Sequence, residues 1–124
     1  MNARVTRAVG KAGLLLLVAA LAMTGILVAS DAAHGLRPTP LHSRLGSLAL
    51  ILIGFAHVSL QAVSRAPRAA RARGVLLGGA FALWGMEQLL PPGRWTTAMD
   101  TAVIAIFVVD LGMIILDGLE HPAS

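Results

Sequence analysis

The sequence has no cysteine and no tyrosine, and it is poor in both aromatic and charged residues. Without cysteine the chain forms no disulfide, thiolate metal site, iron–sulfur cluster or cysteine nucleophile. Charged residues make up 13% of the chain, whereas a soluble domain carries about 25%. The scarcity of charge therefore argues against an ordinary soluble domain.

Apolar residues take the place of the missing charge. They account for 56% of the 124 residues, and the mean hydropathy is +0.78, which predicts an integral membrane protein. The net charge of +4 does not indicate nucleic-acid binding, because the basic residues lie in short segments without aromatic side chains for base stacking. The expected surroundings are a lipid bilayer.

Four apolar stretches are long enough to cross a bilayer, which takes about 20 residues of helix. They cover residues 12–30, 45–64, 74–90 and 98–116. None alternates with the two-residue period of a barrel strand, so helices are the expected spanning form. We predict an all-α integral membrane protein in which residues 1–124 form one domain, a bundle of four transmembrane helices.

The positions of lysine and arginine predict the orientation of these helices. Cytoplasmic segments carry the excess of basic residues, and most of them precede the first stretch or follow the second: Arg4, Arg7, Lys11, Arg65, Arg68, Arg71 and Arg73. Both termini are therefore expected in the cytoplasm, with the chain multi-pass in a bacterial inner membrane. Cleavage of a signal peptide after Ser30 is the alternative, although the first apolar run exceeds the usual length of a signal-peptide core.

The second stretch has one small and polar face. At 100° per residue, Gly46 and Gln61 lie near His57, while Leu48 and Phe55 lie on the opposite side. Small residues allow helices to approach closely and polar residues bond between them. The His57 face is therefore expected to face the bundle.

Asp110 is the strongest candidate partner for His57. An ionised carboxylate facing lipid costs at least about 2.5–3.5 kcal/mol, so Asp110 is expected to face inward, to find a partner or to stay protonated. Both residues lie about 4 Å from the midpoint of their own stretch. We predict a His57–Asp110 pair, acting either as a proton relay or as a buried structural contact.

Glu87 lies near the outer end of the third stretch. It is expected either to join an outer polar cluster with Asp100, His42 and Arg44 or to extend towards the interface. Glycines on the opposite side of this helix predict close packing; they are Gly74, Gly78 and Gly85. Since no nucleotide, Ser-His-Asp or zinc motif is found, we expect no catalytic residue and no metal ligand.

Residues 24–30, TGILVAS, followed by His34 and then by residues 42–61, HSRLGSLALILIGFAHVSLQ, resemble small helical-bundle proteins of the membrane cytochrome b type. The resemblance rests on His42, Gly46 and His57 in one helix together with the preceding Gly25, and it covers about a third of the chain. It implies a bound haem b, with His57 and His42 as ligands.

The pattern departs from that family in one respect. Two histidines on different helices normally hold each haem b, but the first, third and fourth stretches contain none. His42 and His57 lie about 22 Å apart along one helix, so they cannot share a haem. The second ligand would be a residue such as Met23, Met86 or Met113, or would come from a second chain.

Three functions are consistent with these patterns. The one we favour is a non-catalytic accessory or anchor subunit, which needs no cofactor and binds other membrane subunits or further copies of itself. The alternative is electron transfer through haem b or a quinone, with Asp110 handling protons. The third is a small proton-coupled transporter that uses Asp110, His57 and Glu87.

Overall fold

The computed structural model describes residues 2–35 and 39–121, and it confirms an all-helical chain with four helices. Each helix begins before its predicted stretch because polar residues of the connections continue it. The helices are α1 (Ala3–His34), α2 (Pro40–Val63), α3 (Arg68–Leu89) and α4 (Arg94–Glu120).

Polar residues at the helix ends explain where the helices begin and turn. The side chain of Asn2 accepts a hydrogen bond from the Val5 amide, and that of Thr39 accepts one from the His42 amide. At the α2–α3 turn, Arg71 donates from its Nε to the Gln61 carbonyl at 3.2 Å and from a terminal nitrogen to the Ala62 carbonyl at 3.0 Å. Arg71 thus supplies a donor to the Ala62 carbonyl at the end of α2 and a second donor to the Gln61 carbonyl, which also accepts from the Ser64 amide.

Each helix packs only against its neighbours in sequence. Within residues 2–35 and 39–121, α1 contacts α2, α2 contacts α3 and α3 contacts α4, whereas α1 and α4 do not meet. The four predicted helices therefore form an open antiparallel row. Short connections make adjacent helices antiparallel, but they do not determine whether the row closes.

Glycine and alanine form the tightest contact, the one between α2 and α3. A Cβ on Gly54 would lie 2.5 Å from the Gly78 carbonyl oxygen, and one on Gly85 would lie 2.6 Å from the Ser47 carbonyl oxygen. Gly74 packs against the Gln61 side chain. The packing predicted for Gly74, Gly78 and Gly85 is confirmed, and it follows from how closely backbones approach when no side chain intervenes.

Small side chains dominate the interior, and large apolar side chains remain exposed. Ala56 and Ala80 are at most 1% exposed, whereas Leu15 and Leu119 are 71% and 72% exposed. An aromatic contact joins α3 to α4, where the Phe81 and Phe107 rings meet edge to face at 5.4 Å. Such an exterior is suited to lipid or to further helices rather than to water.

Three of the helices, α1, α2 and α4, are long and apolar enough to cross a membrane. The third predicted span, residues 74–90, falls in α3, which does not meet that criterion because Arg73, Glu87 and Gln88 lower its hydropathy. The chain is accordingly a helical protein with three candidate membrane spans.

Candidate functional site

Asp110 forms an ion pair with Arg73. The Arg73 Nε lies 3.5 Å from the Asp110 Oδ1, and the two side chains are 31% and 18% exposed. Arg73 Nε is itself buried and has no hydrogen-bond partner in the part of the chain that the structure describes. The contact is thus mainly electrostatic, and it joins α3 to α4.

His57 lies in a different place, in a pocket of about 160 Å³. The pocket lies over α2, between α1 and α3, and is lined by Leu17, Ile53, Ala56, His57, Leu60, Leu77 and Phe81. The imidazole is half-buried. Because every other lining residue is apolar, no side chain of the pocket offers the imidazole a hydrogen bond.

The structure does not bring His57 and Asp110 together. Helices α2 and α4 lie on opposite sides of α3 and make no contact among the described residues. The depths differ as well, since Asp110 is level with Arg73 and the adjacent Gly74 packs against Gln61. Asp110 therefore lies about one helical turn, roughly 6 Å, from the level of His57.

His42 pairs with Asp31, which no motif in the sequence marks as its partner. Its Nδ1 lies 2.8 Å from the Oδ1 of Asp31, and this contact joins the ends of α1 and α2 beside their connection. The pair is partly exposed, 42% for His42 and 22% for Asp31. His42 is thus placed at a helix end, far from His57.

Gln61 and Glu87 also take separate positions. Gln61 is half-buried against Gly74, and its backbone carbonyl accepts the Arg71 hydrogen bond. Glu87 is half-buried, and its Oε2 is enclosed without a hydrogen-bond partner among the described residues. One oxygen of the Glu87 carboxyl group is therefore covered by protein atoms.

These positions do not form a continuous chain of polar groups. Glu87 and Arg73 lie fourteen residues apart on α3, about 21 Å along its axis, and His57 lies on the other side of that helix from Asp110. A proton path through Asp110, His57 and Glu87 would have to cross apolar contacts. The proton-coupled transporter stays a prediction.

A simple signal in the sequence could have identified the true partner of Asp110. In the α3–α4 and α1–α2 pairs, residues about equally far from the connecting turn lie side by side, whereas α2 and α3 are offset from that register because Gly74 packs against Gln61. Arg73 and Asp110 are equally far from the centre of the α3–α4 turn at residues 90–93, and Asp31 and His42 are nearly so from theirs. The His57–Asp110 prediction matched residues by their distance from the midpoint of each apolar stretch, and this measure does not identify the Arg73–Asp110 pair.

Comparison of the chain with protein-family models, with curated proteins and with solved structures finds no match in any of the three. The resemblance to membrane cytochrome b proteins stays a prediction.

Proposed function

We propose that the protein is a non-catalytic subunit of the bacterial inner membrane, an anchor that assembles with further transmembrane helices from copies of itself or from other subunits. The observation that carries the proposal is the open row of helices. Within the described residues, its two end helices, α1 and α4, each contact one other helix, so each leaves most of its surface available to a further helix.

The placement of the polar side chains supports this role. Arg73 with Asp110, His42 with Asp31 and Arg71 with the end of α2 each join two neighbouring helices. They hold the row together and leave large apolar side chains outside, such as Val18 at 63% exposure and Val108 at 65%. Polar contacts between helices and an apolar exterior are typical of a membrane subunit.

The proposal includes α3 as a fourth membrane-crossing helix, with both termini cytoplasmic. Antiparallel packing of α3 between α2 and α4 supports this, because a helix wedged between two spans shares their depth. Its least apolar residues are accommodated within the row, since Arg73 is paired and one oxygen of the Glu87 carboxyl group is covered by protein atoms. Basic residues at the α2–α3 connection then lie on the cytoplasmic side.

Cysteine cross-linking in native membranes tests the assembly, and the natural chain has no cysteine to interfere. Val18→Cys places a thiol on the free side of α1, and Val108→Cys places one on the free side of α4. Ala80→Cys is the buried control, at 0% exposure. We expect oxidant or a thiol-directed photo-cross-linker to join Val18→Cys or Val108→Cys to another polypeptide and to leave Ala80→Cys as monomer.

The identity of the cross-linked product distinguishes the two kinds of partner. A product of twice the chain mass indicates a second copy, and any other mass indicates a different subunit. Monomer at both exposed positions, under conditions where a lipid-linked reagent labels the same thiols, would mean that lipid alone covers the row. That result would contradict an anchoring role.

Electron transfer is the second candidate, and the observation that favours it is the half-buried His57 imidazole in an apolar pocket. One chain does not fit a haem b there. The pocket of about 160 Å³ is smaller than the roughly 300–1,000 Å³ of ordinary ligand sites, and no second ligand lines it. A haem would therefore require a second copy that presents its own His57 to the same site.

A reduced-minus-oxidised visible spectrum of the protein, purified in mild detergent from cells with ample haem, tests this candidate. A Soret and an α band that disappear in His57→Ala but persist in the exposed control His34→Ala would support it, at one haem for two chains. A featureless spectrum of a dimeric preparation would reject haem binding and leave the anchoring role unaffected.

A further inference from the structure

The outer side of the α3–α4 contact holds an apolar groove that contains one pair of charged side chains. The groove has a volume of about 200 Å³ and is lined by Arg73, Leu76, Ala105, Ile106, Val109, Asp110 and Met113. Apart from Arg73 and Asp110, every lining residue is apolar. The groove is open to the surroundings, since Leu76 and Val109 are 54% and 59% exposed.

Arg73 has donors left for a ligand. A guanidinium carries five N–H donors, and the Asp110 contact involves its Nε without forming a hydrogen bond. Arg71, by contrast, is committed to the Gln61 and Ala62 carbonyls. Of Arg71 and Arg73, it is therefore Arg73 that lines the groove and has N–H donors available for a ligand.

The charge around this end of the groove is positive. Arg65 and Arg68 are exposed near the start of α3, and the N-cap residue of α3, Pro67, makes no side-chain hydrogen bond to the first amides of the helix. The exposed carboxylates of Asp117 and Glu120 lie at the same end, at the end of α4. The excess of positive charge at this end of the row comes from seven basic residues against three acidic ones, that is Arg4, Arg7, Lys11, Arg65, Arg68, Arg71 and Arg73 against Asp110, Asp117 and Glu120. Basic residues next to a membrane helix attract anionic head groups at about 1 kcal/mol each.

We propose that the α3–α4 groove binds an anionic phospholipid. Its phosphate lies beside Arg73 at the level of the α2–α3 connection, and one acyl chain follows Leu76 and Ile106 along the two helices. The apolar walls match the acyl chain, and the free Arg73 donors match the phosphate oxygens. Asp110 holds the guanidinium in the groove and is not itself a ligand.

Native mass spectrometry of the full chain in mild detergent measures the binding, with dioleoyl-phosphatidylglycerol as the probe. Dioleoyl-phosphatidylcholine tests the head-group charge, and glycerophosphoglycerol tests the head group without chains. We expect phosphatidylglycerol to bind at least about fivefold more tightly than phosphatidylcholine, the factor that corresponds to one basic contact of about 1 kcal/mol. The chain-free head group should show no binding at the same concentration.

Matched variants locate the site. Ile106→Trp fills the groove, whereas Ile104→Trp adds the same bulk on the opposite side of α4, where Ile104 is 54% exposed. Arg73→Gln combined with Asp110→Asn removes both charges without leaving either unpaired, and Arg7→Gln removes an exposed charge on α1. We expect roughly fivefold weaker binding for Ile106→Trp and for the charge-removed pair, and no change for the two controls.

Three outcomes would overturn the proposal. Equal losses from Arg7→Gln and from the charge-removed pair would show general attraction of anionic lipid to a basic protein. Equal losses from Ile104→Trp and Ile106→Trp would place the lipid elsewhere on α4. Binding of glycerophosphoglycerol as tight as that of the lipid would show a phosphate site that does not use the groove.

Discussion

Arg73 and Asp110 face each other across the α3–α4 contact, with Nε 3.5 Å from Oδ1, and this pair replaces the His57–Asp110 pair that the sequence predicts. Asp110 pairs with Arg73 and not with His57 because α3 lies between α2, which carries His57, and α4, which carries Asp110. The Asp110 carboxylate is balanced by the charge of Arg73 on the adjacent helix. His57 lies in a separate pocket between α1 and α3.

A double-mutant cycle on Arg73→Leu and Asp110→Leu checks this pairing. Neighbouring charged groups couple by about 0.5–3 kcal/mol, and we expect the lower half of that range because both side chains are partly exposed. The measurement is the free energy of unfolding in mixed micelles. The matched cycle on His57→Leu and Asp110→Leu should be additive within about 0.5 kcal/mol; coupling in that cycle and none in the first would refute the observed register.

The glycine contact between α2 and α3 gives a second prediction. Gly54→Ala places a methyl group 2.5 Å from the Gly78 oxygen and 2.6 Å from the Ala82 nitrogen, so the helices must separate at a cost of about 1–3 kcal/mol. Gly46→Ala is the control on the same helix, because nothing lies within 4 Å of its added Cβ. It should leave the thermal midpoint in detergent unchanged or raise it, since alanine favours a helix over glycine by up to about 1 kcal/mol. Equal midpoints for the two variants would contradict the close approach.

Arg71 is predicted to stabilise the α2–α3 turn through its two hydrogen bonds to the end of α2. Arg71→Ala should lower the free energy of unfolding by about 1 kcal/mol. Arg68→Ala removes the same charge from an exposed position on the same helix and should change it by less than about 0.5 kcal/mol. Similar losses in both variants would mean that Arg71 acts through its charge alone.

Thiol labelling from one side of the membrane tests whether α3 crosses it. Ala69→Cys and Leu90→Cys place single exposed thiols at the two ends of this helix. In intact spheroplasts a membrane-impermeant maleimide should label Leu90→Cys and leave Ala69→Cys unmodified until the cells are opened. Labelling of both before lysis would place the two ends of α3 on the same side and remove it from the set of spans.

The fold class could be predicted from the sequence because it follows from local properties. Apolar runs of about 20 residues need paired backbone groups in lipid, and helices provide them. The close packing at Gly78 and Gly85 was also predictable, since an absent side chain at regular spacing marks the face where helices approach. Each of these conclusions needs only one helix at a time.

The candidate site could not be predicted in the same way, because its pairs depend on which helices are neighbours. The sequence predicts that Asp110 needs a partner, because a carboxylate within an apolar membrane helix is costly when it is unpaired. Whether His57 or Arg73 is that partner depends on the order of the helices in the row and on the register counted from the connecting turn. The same holds for Asp31, whose partner His42 lies across the α1–α2 connection.

The sequence by itself therefore determined that the chain is helical and apolar, where its helices lie, and which polar residues need partners, since these follow from composition and from a 3.6-residue period. The tertiary structure alone decided that the row stays open, that Arg73 is the partner of Asp110, and that His57 and Asp110 lie on different sides of α3. The physical reason is that packing between helices is a relation between distant segments. Short connections make adjacent helices antiparallel, but the contacts of small residues such as Gly54 and Gly78 set the register between α2 and α3.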